Sequence, residues 1–181
     1  MADEPGTIDP PTVTLSVAGE GERGLLDSLA QFYIYDFSEM EPPASDEFEI
    51  EEHGDFGPLP YMDDYWREPD RHPLLIRVNG HPAGFALINA HSHLTGGHIE
   101  RNMGEFFVAR KHRRRGVAAE AVRQVLTLYP GRWEVAVAER NTVAKSFWPR
   151  AIASASNVTG LTRLEGDGEH WRGPIWTFDA A

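Results

Sequence analysis

A single-domain mixed α/β fold is what the sequence predicts, and three observations carry it. Apolar runs with strand periodicity alternate with stretches of helical periodicity along most of the chain. Asn79-Gly80 stands between two strand-like runs, as a tight hairpin requires. A dense basic turn, Arg110 to Arg115 with Gly116 behind it, separates a short apolar run from an amphipathic segment, and no dinucleotide-binding glycine fingerprint accompanies it.

The elements follow in order. Residues 1–11 are polar and proline-rich and read as a disordered or extended arm, leaving 12–181 for the folded domain. Val13 to Val17 alternates like a strand. Leu25, Leu26, Leu29, Phe32, Tyr33 and Phe37 recur at helical spacing and predict a helix from Glu22 to Ser38. Glu39 to Pro60 is acidic, is broken by Pro42, Pro43, Pro58 and Pro60, and reads as a loop. Tyr61 to Glu68 suits a short helix closed by Pro69 and Pro73.

Leu74 to Val78 and Ala83 to Ile88 form the predicted hairpin around Asn79-Gly80. His91 to Met103 reads as a polar loop, and Gly104 to Ala109 as the next strand. A helix opening at Gly116 puts Val117, Ala121, Val125 and Leu128 on one face and ends at Tyr129-Pro130-Gly131. Trp133, Val135 and Val137 alternate with Glu134, Ala136 and Ala138 as another strand. Asn141 is a good N-cap for a helix carrying Val143, Ala144, Phe147 and Trp148, which Pro149 is expected to end or kink early. Thr159 to Leu164 and Trp171 to Phe178 complete the set as strands.

Composition narrows the classes. At 181 residues the chain can bury a substantial core, and no apolar run approaches the roughly 20 residues of a membrane span. The acidic start, Met1 to Pro5, lacks the cationic and apolar regions of a secretory signal, so a cytoplasmic protein is expected. With no cysteine there can be no disulfide, no thiolate nucleophile and no cysteine-held zinc. A net charge of −11 argues against general nucleic-acid binding, and the same surplus favours solubility.

Against that acidic background the basic turn is a local concentration of charge with a chemistry of its own. The N–H groups in the first turn of a helix have no intrahelical acceptor, and its dipole favours anions. Gly116 lets the backbone approach a ligand closely. Successive amides there suit a pyrophosphate, with Arg110, Lys111, Arg113, Arg114 and Arg115 as the cations around it.

Val108 to Ala118, with Arg113-Arg114-Arg115-Gly116-Val117-Ala118 at its heart, resembles the acyl-CoA-binding segment of the GCN5-related N-acetyltransferase superfamily. Asn141-Thr-Val-Ala144-Lys-Ser-Phe147-Trp148 resembles a second family segment, with one helix and one strand between the two. The resemblance runs from Val13 to Phe178, although only these two segments are specific. It implies an α/β (α+β) domain: a central mixed, mostly antiparallel twisted sheet of about six or seven strands, with helices on both faces.

The same resemblance implies acetyl-CoA as cosubstrate, an amine-bearing acceptor, no metal, and direct transfer without a covalent enzyme intermediate. Val108 and Arg110 are then expected to meet the pantetheine through the backbone, where neighbouring strands splay. The amides from Arg113 through Gly116 and Val117 to Ala118 hold the pyrophosphate, and Asn141 hydrogen-bonds the pantetheine arm. The family's frequent tyrosine acid falls at Trp148, which has no hydroxyl. That departure leaves a non-catalytic CoA-binding module as the competing reading.

Glu105 is the candidate general base, because bulky Phe106 and Phe107 beside its carboxylate favour a raised pKa; an ion pair or strand-edge carboxylate is the alternative. Tyr33, Tyr35, Asp36, Tyr61, Tyr65 and Trp66 are candidates for an acceptor pocket, with Tyr33, Asp36 and Tyr65 foremost, although the same spacing suits core packing. His91, His93 and His98 read as solvated loop histidines rather than metal ligands. Acceptor identity and oligomeric state stay open, a homodimer included.

Overall fold

The computed structural model describes residues 10–181; the arm expected over 1–11 lies, through residue 9, outside the described residues. The described residues form seven strands: β1 (Val13–Val17), β2 (His72–Val78), β3 (His81–His91), β4 (His98–Val108), β5 (Gly131–Ala136), β6 (Val158–Glu165) and β7 (Pro174–Ala180). The helices are α1 (Arg23–Ser38), α2 (Val117–Leu128) and α3 (Thr142–Ala153). One sheet takes all the strands in the order β1-β2-β3-β4-β5-β7-β6. Every neighbouring pair is antiparallel except β4 and β5, which run parallel. The mixed, mostly antiparallel sheet expected from the sequence is therefore the one observed.

Alternation along the strands sends side chains to two separate layers, as the period of two dictates. Leu75, Phe85, Leu87 and Phe107 pack with Leu26, Leu29, Ala30 and Ile34 of α1. Leu74, Ala86, Ile88, Trp133 and Phe178 face the other way, against Val122, Val125 and Leu126 of α2 and Ile152 of α3. Helices thus cover both faces of the sheet. The β2–β3 hairpin turns where expected, with Asn79 and Gly80 both left-handed at φ 50° and 80°.

Three expectations are corrected. The segment His91 to Met103 is not a polar loop: β3 extends to His91 and β4 starts at His98, leaving 92–97 as the connection. Its polar residues are tied into the fold, as when buried Asn102 donates through Nδ2 to Asn89 Oδ1 at 3.0 Å. Leu128 is 58% exposed, and the buried stripe of α2 is Val117, Ala121, Val122, Val125 and Leu126. Pro149 does not end α3, which continues to Ala153. The turn beyond it buries Ala151 and Ile152 in the core, and that burial outweighs the missing proline N–H.

The short helix expected at Tyr61 to Glu68 is a 3-10 turn, Met62–Trp66, with Met62 and Tyr65 buried beneath α1. Asn141 caps α3 as its sequence position predicts, its Oδ1 accepting from the Ala144 N–H at 2.9 Å.

Because α3 is held by its last turn, Ile152→Ala should lower unfolding stability by about 2–4 kcal/mol. Val143→Ala on the outer face, where the valine is 79% exposed, should change it by about 0.5 kcal/mol or less. Urea unfolding of the two variants measures both.

Candidate active site

β4 and β5 pair at only two positions, Arg101 with Trp133 and Asn102 with Glu134. Beyond them β4 continues alone along β3 to Val108, while β5 follows β7 to Ala136. The gap widens into a cleft of about 700 Å³ whose walls include Phe106, Val135, Val137, Asn141, Ala144 and Trp148. It extends past Gly104 and Glu105 to Tyr33, Tyr61, Tyr65 and Arg71 on the α1 side.

Strand geometry sets what each side of β4 offers. The Ala109 N–H donates to Ala83 O at 2.8 Å, so 109 faces β3. Backbone groups alternate along a strand, so the N–H groups of Phe106 and Val108 face the gap. Val108 O faces it too and accepts from Arg113 Nε at 2.6 Å. Side chains alternate in the same way. Phe106 points to the α2–α3 layer, whereas Glu105 and Phe107 point to the α1 layer.

Glu105 accordingly meets Tyr33, whose hydroxyl donates to Oε2. Tyr33 is itself ringed by Phe37, Phe85 and Phe107, with centroids 4.5, 5.8 and 6.2 Å away. Burial among these rings raises the Glu105 pKa to about 7, although the Tyr33 hydroxyl pulls it down. Burial, reinforced by the Glu105 charge, pushes Tyr33 well above its ordinary value. Tyr65 is raised to about 12, chiefly by burial, and its hydroxyl accepts from Asn89 Nδ2 at 3.1 Å. A Cβ on Gly104 would lie 2.5 Å from Asn89 Nδ2 and 3.0 Å from Tyr65 Oη, so only glycine lets β4 pass this close.

At the other end of β4 the basic turn has the conformation expected of an anion cradle. Arg114 and Gly116 are left-handed at φ 60° and 80° around Arg115, a pattern that turns successive N–H groups toward one concavity. Among the described residues, no acceptor receives the N–H groups from Arg114 to Ala119. A Cβ at Gly116 would meet nothing within 4 Å, so the approach to these amides is open. The Arg110 and Arg113 side chains are committed elsewhere: both pair with Asp36 of α1, Arg110 at 2.8 Å. Cation capacity at the turn rests on Lys111, Arg114 and Arg115.

The sequence candidates fall into distinct places. Tyr33, Tyr65 and Glu105 line one cleft with Asn141, whose side chain also caps α3. Asp36 does not line it, being held between Arg110 and Arg113. His91 and His93 both line the cleft: His91 is exposed at the end of β3 and His93 is half-buried in the 92–97 connection, whereas exposed His98 does not line it. His93 packs on Trp171 at 4.5 Å, and burial lowers its pKa to about 4. Trp148 is 5% exposed and packs against Phe106 and Phe147, with centroids 5.2 and 5.3 Å away. Arg71, Asn89 and Trp171 were not legible as site residues, because no local motif surrounds them. Their place depends on long-range pairing.

A family model described as the acetyltransferase (GNAT) family matches residues 32–152, which spans β4, the basic turn and most of α3. The chain belongs to this family, and the class of enzyme is an N-acetyltransferase. Similar solved structures include an acetyltransferase from Thermus thermophilus (15% identity, TM-score 0.63, covering 94% of this chain and 97% of that one). The PaiA N-acetyltransferase from Thermoplasma acidophilum, in complex with coenzyme A, aligns at 9% identity and TM-score 0.60 over 94% and 99%. Spermidine N-acetyltransferase from Vibrio cholerae, in complex with CoA and spermine, aligns at 12% identity and TM-score 0.51 over 92% and 93%. At these identities the likeness is one of fold. No match is found among curated protein sequences.

The Glu105 carboxyl sits near 7 in the fold against a reference value of 4.5, so the folded protein binds its proton more tightly than the unfolded chain. The associated stability is full below about 4.5 and is lost as pH rises through about 7. Glu105→Gln, which cannot ionise, should therefore gain up to about 3 kcal/mol relative to wild type between pH 4.5 and pH 8. Thermal unfolding of both proteins across that range measures the gain.

Proposed function

We propose that the protein transfers an acyl group, acetyl foremost, from its CoA thioester to a primary amine by direct attack within the cleft. The observation that carries this is a cleft between β4 and β5 that holds Glu105 and reaches Phe106 and Asn141, with the free amides of the basic turn just beyond the end of the same strand. The amides from Arg114 to Ala118, with Lys111, Arg114 and Arg115, suit the pyrophosphate. The gap-facing edge of β4 at Phe106 and Val108, together with Asn141, suits the pantetheine amides.

The chemistry balances with few parts. Glu105, close to half ionised at neutral pH, takes a proton from the acceptor ammonium. The neutral nitrogen attacks the thioester carbonyl carbon, and the Val108 N–H is suited to stabilising the oxyanion that develops. Collapse breaks the C–S bond and releases CoA thiolate. Trp148 offers no acidic proton at the family's tyrosine position, so the second ammonium proton, lost from nitrogen as the amide forms, reaches the thiolate through water, and Glu105 returns its own proton to solvent. Tyr33 holds the carboxylate in place and has no charge to lose at working pH.

That same tryptophan favours a second reading, a CoA-binding module without turnover. Acetyl-CoA binding with no CoA release across a broad panel of primary amines would support it.

Calorimetry should show acetyl-CoA binding at micromolar concentration, and Gly116→Glu should weaken it by about 100-fold or more by setting a carboxylate against the amides. No binding to folded wild type would sink the transferase and the module alike. For turnover, kcat/KM should rise with pH through a midpoint near 7. Glu105→Gln should lower it by about 10²–10⁴-fold and abolish that rise, as followed by thiol release.

A further inference from the structure

Few of the chain's charges reach the acceptor end of the cleft. Among the described residues, Glu105 is the only carboxylate that lines it, and the only Lys or Arg there is Arg71. Asp36, the other carboxylate that might have faced an amine, is occupied by Arg110 and Arg113. His93, lowered to about 4, is neutral at physiological pH.

Arg71 is fixed in place. Its Nε donates to Glu68 Oε2 at 2.6 Å, and its guanidinium lies 5.8 and 5.3 Å from the ring centroids of Tyr61 and Tyr65. One terminal N–H leans on the Tyr65 hydroxyl and helps to lower its pKa, and the remaining terminal N–H groups donate no hydrogen bond among the described residues. The neighbouring polar groups divide into used and unused. Asn89 accepts from Asn102 Nδ2 and the His91 N–H and donates to Tyr65 Oη. Tyr65 accepts that bond but donates none among the described residues, so its hydroxyl proton is free beside Arg71. The fields of Arg71 and Glu105 both reach this hydroxyl, the first lowering and the second raising its pKa. One anion-binding pair and one proton acceptor therefore share a chamber whose remaining walls include Phe37, Phe48, Leu59 and Trp171.

We infer that the acceptor is an amine that also carries a carboxylate, of the apolar amino-acid class, with the carboxylate held by Arg71 and the Tyr65 hydroxyl and the amine presented to Glu105. This rests on the transferase reading of the same cleft. A guanidinium fork with free N–H groups, supported by a neutral hydroxyl, matches a carboxylate, and apolar walls match a hydrocarbon body. A polyamine would bring several positive charges to a chamber with a single carboxylate and a guanidinium that repels them.

The test pairs phenylalanine with phenethylamine, which differ only in the carboxylate, and leucine with isoamylamine. Binding to CoA-saturated protein is read by tryptophan fluorescence or calorimetry, and turnover by acetyl-amine formation from acetyl-CoA. Each amino acid should bind at least about tenfold more tightly than its decarboxylated partner. Arg71→Met, which keeps the packing on both tyrosine rings, should remove that ratio by weakening amino-acid binding at least about tenfold, while amine binding holds or tightens as the repelling charge is lost; Tyr65→Phe should reduce the ratio in part. Equal or tighter binding of the decarboxylated amines, no binding of either at millimolar concentration, or a ratio that survives Arg71→Met overturns the inference. Preferential binding of the amino acids without acetylation instead counts against the transferase and leaves the carboxylate site standing. Faster turnover of phenethylamine than of phenylalanine does the reverse.

Discussion

β4 and β5 run together for two residue pairs and then part, and most of what this molecule can do follows from that break in the hydrogen-bond ladder. A sheet interior normally uses every backbone amide. Here the gap-facing groups of β4 from Phe106 to Val108 have no strand beside them, so a ligand's amides can take that role. The fork is held by buried polar groups. Glu134 accepts from Ser92 Oγ at 2.8 Å and the His93 N–H at 3.0 Å, while Asn102 ties to Asn89 and through it to Tyr65. Replacing such a network with apolar contacts would leave the parting of the strands without directional restraint.

Charge is distributed by the same logic. In a chain of net charge −11 the basic turn has two jobs rather than one. Arg110 and Arg113 bind Asp36 and so fix the far end of α1 against the end of β4; Arg113 also caps the Val108 carbonyl and stacks 5.5 Å from the Phe107 ring. The amides and the remaining cations of the turn are left for a ligand. With α1 anchored there, Tyr33 is delivered to Glu105: burial lifts the carboxylate's pKa to about 7, and the Tyr33 hydroxyl restrains that rise.

Local signals were legible where the physics is local. Asn79-Gly80 turns because both residues tolerate a left-handed backbone, and Asn141 caps because its side chain reaches the amide three residues on. Gly116 between a basic run and an amphipathic helix was enough to locate a left-handed turn whose amides have no acceptor among the described residues. The first half of β4 was not legible, because its polar residues alternate without an apolar stripe and are placed by pairing with β3 and β5. Pro149 misled for the complementary reason: a local rule met a stronger non-local term in the burial of Ala151 and Ile152. Asp36 looked like an acceptor carboxylate because its partners lie 74 and 77 residues away.

By itself the sequence determined the fold class and the place of the basic turn, and it singled out Glu105 as the carboxylate to watch, since periodicity, turn chemistry and a short motif each act over a few residues. Tertiary structure alone decided which carboxylates face the cleft, that Arg71 and Tyr65 line the same cleft as Glu105, and how far β4 diverges from β5. Those outcomes depend on desolvation and on pairings between distant segments. Neither is written in the spacing of neighbours along the chain.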